Sequence, residues 1–325
     1  MIAIYVTSSV SGAGKTAICA GLGRYLLSSG KRVGFFKPVG SGGDAKDGDA
    51  AFMKRLLAQE ESQNTIAPIA TNAQGIKEAF GRASAGKDVV LVEGDQSQAS
   101  LDVAAALNAR VILVVDYTEE LPKAIESGKR FGTRLLGIAV NKVPRSRLER
   151  MRGEVSHLTK EAGLRVIGTL PEDRSLLTLT VGEVAGLLHG EIMTGAGRSS
   201  DLIENVMLGA LTVDPGPVYF ARKVNKAVVV RSERPDLQLA ALHTPTTCLI
   251  VTGNSGIRPI VLQRAAREDV AVVSVLDNAS SVATQIDEAL PGAKFSHEKK
   301  LPRLDMLMQQ NFDFSAAVHE LGLGS

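Results

Sequence analysis

Residues 6–16 read VTSSVSGAGKT, and the fold is decided here: an apolar run ends at Thr7, and Gly12, Gly14, Lys15 and Thr16 open a helical pattern. Glycines let the backbone turn so that successive N–H groups point at phosphate oxygens, and the helix N-terminus adds partial positive charge. In such a cradle Ser11, Gly12, Ala13 and Gly14 wrap the phosphates, Lys15 reaches the β- and γ-phosphates, and the Thr16 hydroxyl coordinates Mg²⁺. One residue departs from the eight-residue phosphate-loop pattern, because Ser9 stands where that pattern has glycine. A glycine-rich turn without a ligand is the competing reading, and the strand before, the helix after and the GKT triplet all argue against it.

Outward from this stretch, short apolar runs alternate with helical patterns: IAIYV, RVGFF, DVVLVEG, RVILVVD, LLGIAVN and LRVIGTL. Continuous apolar runs are how parallel strands covered on both faces read. The intervening KTAICAGLGRYLLSSG carries Ile18, Leu22, Tyr25 and Leu26 near helical spacing, with Gly30 placed as a C-terminal cap. Strand–helix alternation over residues 1 to about 190 predicts an α/β fold with a doubly wound, mostly parallel sheet.

Near residue 190 the stretch HGEIMTGAGRSSD, rich in Gly and Ser, breaks the periodicity. The expected division is a nucleotide-binding domain over 1–192, a smaller α/β domain over 200–290, and a tail over 291–325 that forms a helix or an arm. Within the second domain the pattern predicts a helix from about Asp201 to Leu211, a strand KAVVV, a helix from Pro235 to Leu242, a strand CLIVTG, a helix RPIVLQRAARE, a strand VAVVSV and a helix near SVATQIDEAL.

The strand ends nominate the remaining site residues, since open α/β sheets bind ligands at the carboxyl ends of their strands. Lys37, in FFKPVGSG, places a cation there for a phosphate or a substrate carboxylate, and Ser41 offers a hydroxyl. A nucleotide-bound Mg²⁺ takes a hydroxyl, one or two acids and several waters. Glu93, closing DVVLVEG, is the best-placed acid; Asp49 is read either as a second ligand or as a helix N-cap. Asp116, ending VILVVD, stays in reserve. Asn141, at the end of GIAVN, has an amide able to donate to and accept from one purine edge, or it is a simple turn residue. A guanine signature would need Asp three positions on, where Pro144 stands, so adenine is favoured.

Composition bounds the rest. The 325 residues suit about two domains. Hydrophobic residues at 44% and charged residues at 22% argue against disorder. A formal net charge of +2, with no basic cluster, argues against a nucleic-acid partner. The two cysteines, Cys19 and Cys248, lie too far apart in sequence for a disulfide framework and read as buried thiols in a reducing cytoplasm. The five histidines, His157, His189, His243, His297 and His319, show no ligand spacing. With neither a signal peptide nor an 18-residue apolar stretch, the expected setting is cytoplasmic and away from membranes.

Together SSVSGAGKT, GFFKPVGSG, VLVEG, GIAVNKV and GTLPEDRSLLTLTVGEVAGLL resemble the dethiobiotin synthetase and cobyrinate diamide synthase superfamily. The nearest likeness is to the dethiobiotin-synthetase-like N-terminal domain of long bacterial phosphate acetyltransferases. The block from about Ser200 to Leu290, with LIENVMLGALTVDPGPVYF, VVVRSERPDLQLAAL and CLIVTGNSGIRPIVLQRA, resembles the DRTGG domain that follows it there. The resemblance implies ATP and Mg²⁺ as cofactors, with Lys15 and Thr16 on phosphate and metal, Lys37 on substrate or γ-phosphate as a second catalytic lysine, Asp49 and Glu93 on the metal, and Asn141 on adenine. It also implies a homodimer.

Three departures shape the functional expectation. VEGDQSQAS replaces the glycine-rich substrate loop of dethiobiotin synthetases, RSERPD stands where relatives often carry Gly-Asp-Arg, and the 35 residues after position 290 hold neither a glutaminase nor an acetyltransferase domain. The leading expectation is a nucleotide-dependent regulatory protein whose second domain senses a ligand or contacts an acetyltransferase-like partner, with slow ATP hydrolysis compatible. The second is an ATP-dependent ligase acting on a small acidic metabolite, a carboxylate or carbamate, with Lys15, Lys37 and Mg²⁺ clamping the transferring phosphoryl group. The third is a structural module with a decayed nucleotide site.

Overall fold

The computed structural model describes residues 1–38, 48–69, 73–94, 100–210 and 216–322. The chain forms two compact units, Met1–Leu176 with Phe295–Ser325, and Leu177–Lys294.

In the first unit the elements run β1 (Ile2–Ser8), α1 (Lys15–Ser28), β2 (Val33–Phe36), α2 (Gly48–Leu56), α3 (Gln63–Ile66), α4 (Ala73–Ala83), β3 (Val89–Glu93), α5 (Ser100–Ala106), β4 (Arg110–Asp116), α6 (Leu121–Lys129), β5 (Leu135–Val143), α7 (Leu148–Glu161) and β6 (Val166–Pro171). All six apolar runs became strands of one sheet in the order β2-β3-β1-β4-β5-β6, every pair parallel. Alternate residues of β1 show why the run is continuously apolar. Ile4 and Val6 enter one core, with Ile18 and Leu22 of α1, while Ala3 and Tyr5 enter another on the opposite face, with Phe80 of α4. Burying each Val, Leu, Ile or Phe side chain among them contributes roughly 1.5–3 kcal/mol.

Helix α1 ends as its sequence predicts. Gly30 is left-handed (φ 74°), and the Gly30 and Lys31 amides donate to the carbonyls of Leu27 and Leu26. At the edge strand β2 the buried Gln59 amide takes the place of a neighbouring strand: its Oε1 accepts from the Phe35 amide at 2.8 Å.

The second unit holds β7 (Leu179–Thr180), α8 (Val181–Leu187), β8 (Glu191–Thr194), β9 (Leu202–Ile203), β10 (Asn205–Gly209), α9 (Gly216–Phe220), β11 (Lys226–Arg231), α10 (Pro235–Leu242), β12 (Thr246–Thr252), α11 (Pro259–Arg267), β13 (Ala271–Val275) and α12 (Ala279–Ala289). Its main sheet has the order β10-β11-β12-β13-β8, parallel except for the antiparallel edge pair β13–β8.

Two expectations change here. Within the described residues of the helix drawn from Asp201 to Leu211, the chain forms the strands β9 and β10 instead, because Met207 and Gly209 are buried while Leu208 between them is exposed, a period of two rather than 3.6. The Gly/Ser-rich stretch is not the divide between units. Its EIMT becomes the edge strand β8, and the units part at Leu176/Leu177.

The tail also resolves. Helices α13 (Leu301–Asn311) and α14 (Phe314–His319) return to the first unit, where Leu301, Leu304 and Met308 share the core of α1. Phe312 bridges Gly168 on the outer edge of β6, and Tyr25 of α1 stacks on Phe314 with ring centroids 4.2 Å apart.

One buried cation in the second unit carries a consequence for stability. Lys226, fully buried at the start of β11, donates from Nζ to the Thr244 hydroxyl (3.0 Å) and the Pro245 carbonyl (2.8 Å). Burial pushes its pKa down from 10.5 to about 8. Between about pH 8 and 10.5 the unfolded chain then binds a proton that the folded chain has shed, so stability rises with pH across that window, by up to about 3 kcal/mol. Urea unfolding at pH 7.5 and 10 should show that rise in the wild type and its loss in Lys226→Met; equal pH dependence in both would refute it.

Candidate functional site

The loop between β1 and α1 has two left-handed glycines, Gly12 (φ 71°) and Gly14 (φ 95°), and a Cβ placed on Gly12 would meet nothing within 4 Å. Gly14 is the N-cap of α1 and makes no side-chain cap, so the first N–H groups of the helix stay available to an anion. Ser11 and Gly12 are exposed and Ala13 is buried. Ser9 is absent from the positive-φ residues. Glycine is therefore not required there, and the Ser9 hydroxyl donates to Glu119 Oε2, whose other oxygen accepts from the Asp116 amide. Lys15 Nζ donates to the Ser8 hydroxyl at 3.0 Å, at the end of β1.

Beside this loop β3 and β2 bring charged groups together. Lys37 Nζ donates to Asp49 Oδ2 at 2.7 Å and lies 3.1 Å from Glu93 Oε1. The Thr16 side chain lies close enough to Glu93 to favour its charged form. The structure thus gathers Thr16, Lys37, Asp49 and Glu93, which the sequence had placed on four separate segments. Burial pushes the Glu93 carboxyl above its ordinary value and the Asp49 charge adds to that, against the pull of Lys37 and, more weakly, of the Thr16 side chain. Glu93 Oε2 is buried with no hydrogen-bond partner among the described residues. Asp49 lies in the first turn of α2, with its carboxylate turned to Lys37.

On the other side of the loop Asn141, at the end of β5, donates from Nδ2 to the Ala13 carbonyl at 2.9 Å. A Cβ on Gly14 would come within 2.2 Å of that nitrogen, so glycine at 14 and asparagine at 141 fit each other. This bracing is a role that the sequence did not signal, because only tertiary packing brings the two segments together. Asp116 is engaged by Thr118 and by Lys142 at 3.3 Å. Ser41 lies outside the described residues.

Among the described residues no group of three or more His, Cys, Asp and Glu gathers to hold a metal by itself, and no helix is long and apolar enough to cross a membrane. Cys19 and Cys248 are buried, and burial pushes both thiols upward in pKa, away from nucleophilic use.

With this geometry in place, residues 3–178 match the family described as AAA domain, more than half of the chain. The chain belongs to the AAA domain family. Residues 183–289 match the DRTGG domain. The phosphate acetyltransferase of Pseudomonas aeruginosa is 24% identical over 97% of this chain and 51% of its own length. The hydrogenobyrinate a,c-diamide synthase of Mycobacterium tuberculosis is 26% identical over 81% of this chain and 56% of its own. The chain therefore spans about half the length of these curated relatives. Among solved structures, the MinD cell division protein of Aquifex aeolicus aligns at 17% identity with a TM-score of 0.40, over 55% of this chain and 85% of that one. The AAA domain here is a P-loop nucleotide-binding domain, and it precedes a DRTGG domain, related to phosphate acetyltransferases and cobyrinate-type synthases.

The buried charges of the AAA domain make a direct prediction. Replacing Lys37 by Met takes this cation from the half-buried Asp49 and the buried Glu93, and leaving a buried carboxylate without its charged donor costs about 2 kcal/mol. Lys37→Met should lower the urea midpoint accordingly, and Lys37→Met/Glu93→Gln should regain most of the loss; an unchanged midpoint in the single variant would contradict the pairing.

Proposed function

We propose that the AAA domain binds Mg-ATP and that the chain is a nucleotide-dependent regulatory protein, with the DRTGG domain as the sensing or partner-contacting half. The single observation that carries the reading is Glu93 Oε2, buried with no hydrogen-bond partner among the described residues, in a carboxylate whose charged form Lys37 and Thr16 favour. A buried carboxylate oxygen without a partner is costly, and a divalent cation would satisfy it. The Lys37 ammonium, held by Asp49 and Glu93, stands in for such a cation in this state. The donor set of one hydroxyl and two carboxylates fits Mg²⁺ completed by phosphate oxygens and water.

In this reading Thr16, Asp49 and Glu93 hold the metal, which when bound supplies charge neutralisation on the β- and γ-phosphates. Lys15 and the amides from Ser11 to Gly14 hold the triphosphate, and Asn141 lies on the side where adenine would extend. The DRTGG domain and the relationship to phosphate acetyltransferases support an acetyltransferase-like partner; a homodimer remains part of the same proposal.

A second reading, an ATP-dependent ligase phosphorylating a small carboxylate, draws support from the diamide synthase relative and from Lys37. The Lys37 ammonium is held by two carboxylates of its own chain, which favours a role in organising the metal site over gripping an acid substrate. ADP release stimulated tenfold or more by a small acid and abolished by Lys37→Ala would reverse that preference.

Millimolar Mg-ATP at about 100 times its Kd should stabilise the protein by about 2.7 kcal/mol, read as a rise in melting temperature. Lys15→Ala should remove the rise, and Thr16→Ala should remove the part that depends on Mg²⁺. A wild-type melting temperature indifferent to ATP and ADP would end the proposal.

A further inference from the structure

The sheet order divides the proposed nucleotide site. From β1 the metal-side groups lie towards β3 and β2, whereas Asn141 lies two strands the other way, on β5. A base extending from the cradle past Asn141 comes next to the loops that follow β5 and β6. Those loops are fastened together. The Glu172 amide donates to the Val143 carbonyl at 2.7 Å, and Asp173 Oδ2 accepts from Arg145 at 2.7 Å.

The same Asp173 oxygen is gripped from α13. Arg303 donates to it from Nε (2.9 Å) and from a terminal nitrogen (2.5 Å). The Asp173 side chain is only 9% exposed, and the Ser175 hydroxyl and amide hold its other oxygen. Two residues further along α13, Asp305 takes Arg24 of α1 through three hydrogen bonds of 2.7–3.0 Å. Positions i and i+2 of a helix project to opposite sides. Helix α13 therefore stands between the loop after β6 and the helix whose first residue is Lys15, and it is tied to both. Met308, packed where a Cβ on Gly21 would fall, closes the contact with α1.

We propose that α13 is a positioning element of the nucleotide site, in which Arg303, through Asp173, sets the loop on the base side, and Asp305, through Arg24, sets the phosphate-binding helix. This rests on the Mg-ATP reading above. Neither Arg303 nor Asp305 touches the cradle; each acts through another residue. Because the chain enters α13 soon after leaving the DRTGG domain, a change in that domain has a covalent route to the base-side loop.

The test is calorimetric titration of the full chain with Mg-ATP and, separately, with Mg-tripolyphosphate, which has the phosphates but no base. Arg303→Ala and Asp173→Asn should each weaken ATP about tenfold while leaving tripolyphosphate within about twofold, the loss expected when one charge-assisted contact that orders a loop is removed. Arg303→Lys, a point charge without the planar fork, should fall between. Arg24→Ala, on the phosphate side, should weaken both probes alike. If Arg303→Ala fails to fold by thermal melting, Asp173→Asn and Arg303→Lys carry the comparison.

ATP binding at the wild-type level in the Arg303 and Asp173 variants, or parallel loss of both probes in them, would overturn the positioning role while leaving the Mg-ATP reading intact. A wild type that binds neither probe would overturn both.

Discussion

A half-buried ammonium between two carboxylates, one of them fully enclosed, is the constraint on which the nucleotide-side architecture depends. Charges inside a protein must be matched, since an uncompensated one costs several kcal/mol. Lys37 follows β2, Asp49 lies in the first turn of α2, and Glu93 ends β3. Three segments are thereby held at one sheet edge by electrostatics rather than by shape alone. The match is incomplete, because Glu93 Oε2 stays buried without a hydrogen-bond partner among the described residues, and that residual demand turns a structural cluster into a candidate metal site.

The parallel sheet gives this cluster its place. With β1 between β3 and β4, the loop after β1 has carboxylates on one flank and the Asn141 amide on the other. The left-handed Gly12 and Gly14 leave the α1 amides facing outward, and Asn141 holds the Ala13 carbonyl from behind. Helix α13 then braces the outside of α1 and the loop after β6, so the segment following the DRTGG domain is part of the AAA domain's own packing.

Much of this was legible in the residues. Six continuous apolar runs could only be strands covered on both faces, and all six are; Gly30 ends α1 as its conformational freedom suggests. Thr16, Lys37, Asp49 and Glu93 could each be nominated because strand ends and helix starts bring side chains to a common edge. Other features were hidden for identifiable reasons. Residues 205–209 carry a short apolar stretch that suits a helix or a strand, and pairing with β11 decided it. The glycines and serines near residue 195 signal a break in periodicity without saying which side of a domain boundary they occupy. Ser9 read as a defect in the loop only because backbone angles are not visible in sequence.

What the sequence by itself determined, then, is the α/β class, the strand identities and the phosphate-binding loop, since these follow from local periodicity and from glycine conformations set within a few residues. Tertiary structure alone decided that Lys37 bridges Asp49 and Glu93, that Asn141 braces Ala13, and that the chain after residue 294 returns to grip α1 and the loop after β6. These contacts join residues from a dozen to some 280 positions apart, and no local pattern encodes a partner at such a distance; they exist because a folded core must satisfy its buried charges and cover its exposed edges.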